Sequence, residues 1–195
     1  MGRSAVIERA TGETSSFVSL DLDGSGTTSI ATGVPFFDHM LDALGRHALL
    51  DLNVDTRGDL EVDAHHTVED TGIGIGKAIA QALGDRTGIR RFGSAAVPLD
   101  EALVLAAVDI SGRGHLTYEV EVPIELIGSF DTTLAKEFFV AVATNAGITL
   151  HLHEVDGENA HHIVEAAFKA FARALREAVE LDPRVRGVPS TKGVL

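Results

Sequence analysis

A repeated histidine motif constrains the fold of this chain more than any other feature of its sequence. Two segments 96 positions apart carry the pattern His-His-X-X-Glu. The residues of the two copies are His65, His66 and Glu69, and His161, His162 and Glu165. A residue suited to capping a helix, Asp63 or Asn159, precedes each copy, and a long helical pattern follows it. The repeat therefore predicts two equivalent helices in a duplicated unit.

The spacing within each copy places one histidine and one glutamate on the same helix face. Residues four apart on a helix are neighbours, so His65 lies beside Glu69, and His161 beside Glu165. The second histidine of each pair points about 100° away and is aimed elsewhere. A single histidine is more often a packed core residue than a ligand, but two matched copies favour metal binding. We predict two metal half-sites, each of which needs a partner to complete it.

Composition excludes several other classes of function. The chain has 195 residues and a formal charge of −13, which argues against nucleic acid and anionic membranes as partners. It contains no cysteine, so thiolate chemistry and Cys-ligated zinc are excluded. Imidazole and carboxylate ligands suit manganese, iron, zinc or cobalt. No apolar run has membrane length and no signal-peptide core is present, so we expect a cytoplasmic protein with no membrane partner.

Hydrophobic patterning predicts an α+β fold made of an internally duplicated unit. Apolar and polar residues alternate over residues 18–23, as in a strand with one wet face, and the apolar run over 102–110 is typical of a buried strand. Double phenylalanines at 36–37 and 138–139, at an offset of 102, suggest a second pair of equivalent helices. Each repeat is expected to form a β-sheet with paired helices packed on one face, and a pseudo-two-fold axis relates the two.

This patterning also sets the expected organisation of the chain. We predict one compact body of two repeats, approximately residues 1–93 and 94–182, followed by a tail over 183–195. The glycine-rich segment over 72–77 imitates a nucleotide-binding loop, but it follows no strand, and Ala78 stands where that loop has Ser or Thr. We interpret its glycines as points of close helix packing. His115 falls on the polar face of a strand and is expected to be solvated.

Several independent motifs, in the same order along the chain, resemble the imidazoleglycerol-phosphate dehydratase family. Besides the two histidine motifs they are Pro-Phe-Phe-Asp-His-Met-Leu over 35–41, Asp-Ile-Ser-Gly-Arg over 109–113 and Pro-Ser-Thr-Lys-Gly over 189–193. The resemblance implies a monofunctional lyase that dehydrates imidazoleglycerol phosphate to imidazoleacetol phosphate in histidine biosynthesis. It further implies two manganese ions per active site and a homo-oligomer of 24 copies, with active sites between subunits.

The resemblance also implies a set of metal ligands. Seven of them are His39, His65, His66, Glu69, His161, His162 and Glu165. The family commonly has a histidine immediately before the second Phe-Phe pair, where this chain has Glu137. A carboxylate is an acceptable manganese ligand, and His151 on a strand is the alternative. We favour Glu137 because its place in the chain matches.

Cationic side chains suggest where a phosphate is held. The resemblance assigns phosphate binding to Arg91, Arg113, Lys169, Ser190, Thr191 and Lys192. Lys169 lies one helical turn beyond Glu165, which points it toward the metal ligands, whereas an isolated Arg91 or Arg113 also suits a surface ion pair. His47 suits substrate contact and packing equally. Glu13 resembles the family's glutamate that contacts substrate near the leaving hydroxyl.

The expected chemistry uses the substrate's own imidazole as the electron sink. Two cations would hold this ring as imidazolate, so that it expels the neighbouring hydroxyl before the adjacent C–H proton is lost. Glu13, Glu69 and Glu165 are the candidates for proton transfer. Two other functions use similar ligands: a dinuclear metal hydrolase and a metal-organised storage shell. The cationic tail and Lys169 favour a phosphorylated ligand, which a storage shell would not need.

Overall fold

The computed structural model describes residues 2–195, and its helices and strands occur in the same order in both halves of the chain. The first half contains β1 (Ser4–Ala10), β2 (Thr14–Asp21), β3 (Thr28–Ala31), α1 (Pro35–Ala48), β4 (Asp51–Gly58) and α2 (His65–Leu83). The second half contains β5 (Phe92–Leu99), β6 (Ala102–Asp109), β7 (His115–Glu119), β8 (Leu126–Ile127), β9 (Phe130–Asp131), α3 (Leu134–Ala146), β10 (Thr149–Asp156) and α4 (Ala160–Val179). The short β8–β9 hairpin is the only strand pair in the described residues without a counterpart in the other half.

The two sheets have the same topology. The strand order is β1-β2-β4-β3 in the first and β5-β6-β10-β7 in the second. In both, the first three strands of that order are antiparallel and the last strand runs parallel to its neighbour. The predicted α+β duplication is therefore confirmed.

The helices pack across the boundary between the halves. α1 and α2 lie against the first sheet, α3 and α4 lie against the second, and the pairs α1–α4 and α2–α3 are in contact. One continuous cluster of buried apolar residues fills this helical layer and the inner faces of both sheets. Phe37, Phe138, Phe139, Phe168 and Phe171 are fully buried there, and each contributes about 1.5–3 kcal/mol of transfer free energy. This shared core supports the pseudo-two-fold arrangement of one compact body.

The register of the duplication differs from the one that the sequence suggested. Asp21 of β2 corresponds to Asp109 of β6, an offset of 88 (109 − 21), because both strands end there opposite the first residue of β4 or β10. Asp51 and Thr149 are the first residues of β4 and β10, so at these strands the offset between the two halves is 98 (149 − 51). The additional ten residues lie between β7 and α3, in the segment that holds the β8–β9 hairpin. The histidine helices then follow at an offset of 96.

The alignment of the two Phe-Phe pairs was therefore wrong by about one helical turn. At the structural offset of 98, the loop after each helix closes with the same hydrogen bond, Leu50 N–H to the carbonyl of Gly45 and Ile148 N–H to that of Ala143. Applied to α1 and α3, the same offset makes Glu137 the counterpart of His39.

The interpretation of the glycines on α2 as packing sites is confirmed. A Cβ at Gly72 would lie 2.9 Å from the Ala141 Cβ, and one at Gly76 would lie 2.8 Å from the Val142 carbonyl oxygen. Both neighbours belong to α3, so these glycines let the two helix backbones approach closely. Among the described residues, no helix is long and apolar enough to cross a membrane.

Candidate metal centre and active site

Three potential metal ligands from α1 and α4 meet at one end of the helical layer. His39, His161 and Glu165 each offer one ligand atom, and the three atoms lie within 4.8 Å of one another. The Glu165 Oε2 atom is 3.4 Å from His39 Nε2 and 3.1 Å from His161 Nε2. Two imidazole nitrogens and a carboxylate at this separation are a donor set that fits a divalent transition metal. We call these three residues the α1/α4 cluster.

Local structure fixes the two helices that carry this cluster. Asn159 caps α4, and its side chain accepts the N–H groups of His161 at 2.9 Å and His162 at 3.3 Å. On α1, Asp38 accepts hydrogen bonds from the backbone N–H and the hydroxyl of Thr32, which anchors the first turn. The Phe36 ring meets the His161 ring edge-on, with centroids 4.9 Å apart.

Lys169 lies against the α1/α4 cluster. Its Nζ is 2.6 Å from Glu165 Oε1, on the opposite side of the carboxylate from the histidines. Burial raises the pKa of Glu165, but the hydrogen bond and the charge of Lys169, aided by His39 and His161, more than offset this and leave the pKa below its ordinary value. The carboxylate is therefore held in its ionised form, the form that ligates a metal.

The equivalent place in the other half has the same ligand pattern on α2 and α3. His65 Nε2 is 3.9 Å from Glu69 Oε2, and Glu137 stands where the first cluster has His39. Among the described residues, only the α1/α4 cluster brings three potential ligand atoms within 4.8 Å of one another, so this second set corresponds to it in helix position and not in convergence. We call Glu137, His65 and Glu69 the α2/α3 cluster. Its helix begins differently: the N-cap position is Ala64 rather than the predicted Asp63, although the Asp63 side chain accepts the His65 N–H at 2.7 Å.

The second histidine of each motif points away from its own cluster and is oriented by a carboxylate. His66 Nδ1 lies 3.0 Å from Asp59, and His162 Nδ1 lies 2.7 Å from Glu101. These hydrogen bonds raise the pKa of both imidazoles, and the His162 contact is the main reason why the pKa of Glu101 falls to about 2. With Nδ1 engaged by a carboxylate, Nε2 of each imidazole is the atom left to bind a metal, an arrangement common among metal-binding histidines.

Sequence reasoning missed Asp59 and Glu101. Asp59 follows β4, and its proximity to His66 depends on how the chain enters α2. Glu101 precedes β6 just as Glu13 precedes β2, and the two are related by the strand offset of 88 (101 − 13). The Glu13 carboxylate is 3.7 Å from His66 Nε2 at the tip of the β1–β2 hairpin. A correct alignment of the two hairpins would have identified Glu101 from the sequence.

The predicted phosphate-binding residues are not all brought together with the metal ligands. Arg91 forms a two-pronged ion pair with Asp109, at 2.7 and 3.2 Å, and donates to the Pro189 carbonyl at 2.9 Å. Its backbone N–H bonds to the carbonyl of Ala178, near the far end of α4. Seventeen residues separate Ala178 from His161 (178 − 161), which corresponds to about 26 Å along a helix.

The remaining predicted phosphate ligands, apart from Lys169, lie near Arg91. Arg113 is exposed in its turn beside the chain end, since a Cβ on the preceding Gly112 would meet the Leu195 carbonyl carbon at 2.6 Å. Ser190 stabilises the tail through a hydrogen bond from the Lys192 N–H to its hydroxyl, at 3.2 Å. Thr191 and Lys192 are exposed.

The remaining candidate histidines lie apart from the clusters. His115 is exposed, as predicted, and His151 lies on the outward face of the second sheet, with its ring centroid 6.0 Å from that of His115. His47 is half-buried on α1, where burial, followed by the charges of Lys169 and Arg173, lowers its pKa.

Comparison with known proteins identifies a family that matches most of the chain. A sequence model of the family described as imidazoleglycerol-phosphate dehydratase matches residues 32–175, which include both histidine motifs. The chain belongs to this family. Family membership confirms the predicted enzyme class, a hydro-lyase.

Relatives and solved structures extend the match to the full length. The chain is 60% identical over 196 aligned positions to the imidazoleglycerol-phosphate dehydratase of Parasynechococcus marenigrum (strain WH8102), covering 100% of this chain and 97% of the relative. It is 61% identical to that of Acidiphilium cryptum (strain JF-5), covering all of both. The crystal structure of the enzyme from Staphylococcus aureus aligns with a TM-score of 0.84 at 38% identity, covering 92% of this chain and 99% of the other. That of IGPD from Pyrococcus furiosus in complex with (S)-C348 aligns with a TM-score of 0.83 at 38% identity, covering 97% and 100%.

Proposed function

We propose that this protein dehydrates imidazoleglycerol phosphate to imidazoleacetol phosphate, in histidine biosynthesis, with two manganese ions per active site. The observation that carries the proposal is the pair of clusters at pseudo-symmetric positions. One holds His39, His161 and Glu165, and the other holds Glu137, His65 and Glu69. A duplicated fold that repeats the same ligand residue types at equivalent helix positions is suited to binding two ions.

The ligand types support manganese among the divalent metals. With Glu137 in place of a histidine, the α2/α3 cluster contains two carboxylates and one imidazole, a harder donor set that suits Mn²⁺. Its correspondence to His39 supports Glu137 as the eighth ligand in preference to His151, which lies on the outer face of a sheet. When bound, the two ions supply Lewis-acid stabilisation of the substrate imidazole in its anionic form.

The protein's own residues supply proton transfer and positioning. Glu13 is exposed at the tip of a hairpin, and its carboxylate faces His66, so it lies beside any ring held at that imidazole. Glu69 and Glu165 are the further candidates for holding or moving a proton, because each is paired with a histidine on its own helix. The phosphate is held by Arg91, Arg113, Lys169, Ser190, Thr191 and Lys192, and this fixes the substrate's reacting carbons relative to Glu13.

The separation of these groups supports active sites shared between subunits. Within one chain, Arg91 lies about 26 Å from the metal-binding end of α4, too far for one small substrate to contact both. His66 and His162 also point away from the cluster on their own helix. We therefore propose that neighbouring subunits complete each site in an assembly of 24 copies. The cytoplasmic location stays a prediction.

Replacing Glu165 tests the proposal most directly. In a Glu165→Gln variant, the α1/α4 cluster loses its only carboxylate, so we expect manganese content to fall and turnover of imidazoleglycerol phosphate to drop at least about 100-fold. Metal analysis and detection of the enolisable ketone product measure the two effects, and Glu158→Gln, at an exposed glutamate in the segment just before α4, is the control. Full turnover by a metal-free preparation would contradict the proposal.

Light scattering tests the shared site separately. Chelation is expected to convert the large assembly into smaller oligomers, because His66 and His162 would no longer be joined to a neighbour through metal. An unchanged monomer before and after chelation would refute shared sites while leaving the dehydratase activity in place.

A further inference from the structure

A partly buried ion pair attaches the β1–β2 hairpin to α2 close to Glu13. Asp70 follows Glu69 on α2 and is only 7% exposed. Its Oδ2 atom accepts hydrogen bonds from Arg9 Nη1, at 2.5 Å, and from the hydroxyl of Thr14. Arg9 lies in β1 and Thr14 is the first residue of β2, so one carboxylate holds both sides of the hairpin.

The hairpin tip is itself closed by side-chain hydrogen bonds. The Thr11 hydroxyl accepts the backbone N–H groups of Glu13, at 3.2 Å, and Thr14, at 3.0 Å. Glu13 thus sits between two residues whose positions are fixed, and its own side chain is 59% exposed. The tip cannot shift relative to α2 without breaking the contacts with Asp70.

The other half of the molecule lacks these contacts between helix and hairpin. At the corresponding offsets, Asp70 is replaced by Ala166, Thr14 by Ala102 and Arg9 by Val97. The counterpart of Glu13 there is Glu101, whose carboxylate is taken up by His162 and by the N–H groups of Glu158 and Asn159. Only the first hairpin combines this attachment to a helix with a glutamate, Glu13, whose side chain is exposed.

We infer that Asp70 is a positioning residue, which acts through Arg9 and Thr14 to hold Glu13 in line with the substrate. The inference rests on the proposed role of Glu13 in proton transfer. On this inference the two pseudo-symmetric halves are chemically unequal. Both carry proposed metal ligands, but only the hairpin of the first half holds a carboxylate in place for proton transfer. A misplacement of about 1 Å at a reacting group costs on the order of 100-fold in rate.

A double-mutant cycle on the manganese-loaded enzyme tests this inference. We expect Asp70→Asn to lower kcat by about 10- to 100-fold with KM and metal content little changed, because the amide keeps the size but loses the charge that holds Arg9. In a Glu13→Gln background the same substitution should have little effect, since the group that it positions is gone. An equal loss in both backgrounds would show a general structural role and overturn the inference.

Two further variants separate positioning from folding. Thr14→Val removes the hydroxyl and should reproduce the kcat loss, while Thr14→Ser keeps the hydroxyl and should restore it. Asp23→Asn is the matched control, because Asp23 pairs with Arg3 at the opposite end of the same two strands and should leave turnover unchanged. If Glu13→Gln alone retains full turnover, the proposed role of Glu13 fails, and the inference fails with it.

Hydrogen–deuterium exchange covers the case in which Glu13→Gln is too slow for kinetics. Asp70→Asn should speed amide exchange over residues 10–15 and leave α4 unchanged. Unchanged exchange in the hairpin would overturn the inference without bearing on the dehydratase activity.

Discussion

The two ligand clusters share a backbone plan but differ in their surroundings. In the α1/α4 cluster, the Glu165 side chain is 12% exposed and is held between two histidines and Lys169. In the α2/α3 cluster, the Glu69 side chain is 46% exposed, and Ile73 stands where the other helix has Lys169. The duplication has thus kept the His-X-X-X-Glu pairs while the residues one turn beyond them diverged. Lys169 therefore makes the two clusters electrostatically unequal, and on the proposed function it draws the phosphate of the substrate to the side of α4.

The largest expected effect comes from removing that cation. Lys169→Met should raise the KM for the phosphorylated substrate by about 10- to 100-fold, because a charged phosphate contact is lost while the length of the side chain is kept. Steady-state kinetics measures the change, and Ile73→Met is the matched control at the pseudo-symmetric position. Equal effects at the two positions would remove the distinction between the clusters.

Exchanging the ligand at the α3 position should have a smaller effect. Glu137→His makes the α2/α3 cluster match the composition of the α1/α4 cluster, so we expect activity to be kept within about tenfold and metal preference to move from manganese toward zinc or cobalt. Competition between metals, followed by metal analysis, measures the shift. Glu137→Gln should instead weaken binding of one ion, whereas full occupancy of both sites in that variant would exclude Glu137 as a ligand.

The smallest effect concerns the first residues of β4 and β10, which are tied to the preceding turns in different ways. Asp51 accepts N–H groups from Ser25 and Thr27, and these bonds lower its pKa, whereas Thr149 bonds through its hydroxyl to Ser111. A carboxyl whose pKa is lowered by folding stabilises the protein above its unfolded pKa, and this contribution is lost as pH falls through the folded value.

Asp51→Asn should therefore lower the melting temperature by about 1–3 °C at neutral pH, with the difference from the parent disappearing in acid. Thermal melts at several pH values measure this. Thr149→Val has no titrating group to lose, and its effect should not depend on pH in that range.

Patterns that depend on local periodicity were predictable from the sequence. The face shared by His161 and Glu165 and the cap at Asn159 follow from helix geometry and residue type, and both are present. The register of the duplication was not predictable from the Phe-Phe pairs, because their offset of 102 differs from the structural offset of 98 by four residues, close to one helical turn, and a shift of one turn preserves the apolar face.

Contacts between distant segments were beyond the reach of sequence patterns. Asp59 lies between β4 and α2, and nothing in its own neighbourhood indicates that it orients His66. Glu101 is recognisable only after the two hairpins are aligned at the strand offset of 88, and its contact with His162 is not visible in the sequence around it. The same holds for Arg91: the resemblance assigned it to phosphate binding, but its separation from the predicted metal ligands depends on how α4 packs along the second sheet.

The length of α4 has a genetic consequence. In the proposed assembly, the histidines at its start and Arg91 beside its end serve different composite sites, so a subunit altered at one end still carries an intact surface at the other. Two inactive alleles, one altered at His161 and one at Arg91, should complement each other when they are expressed together, because some junctions in a mixed particle would join two intact ends.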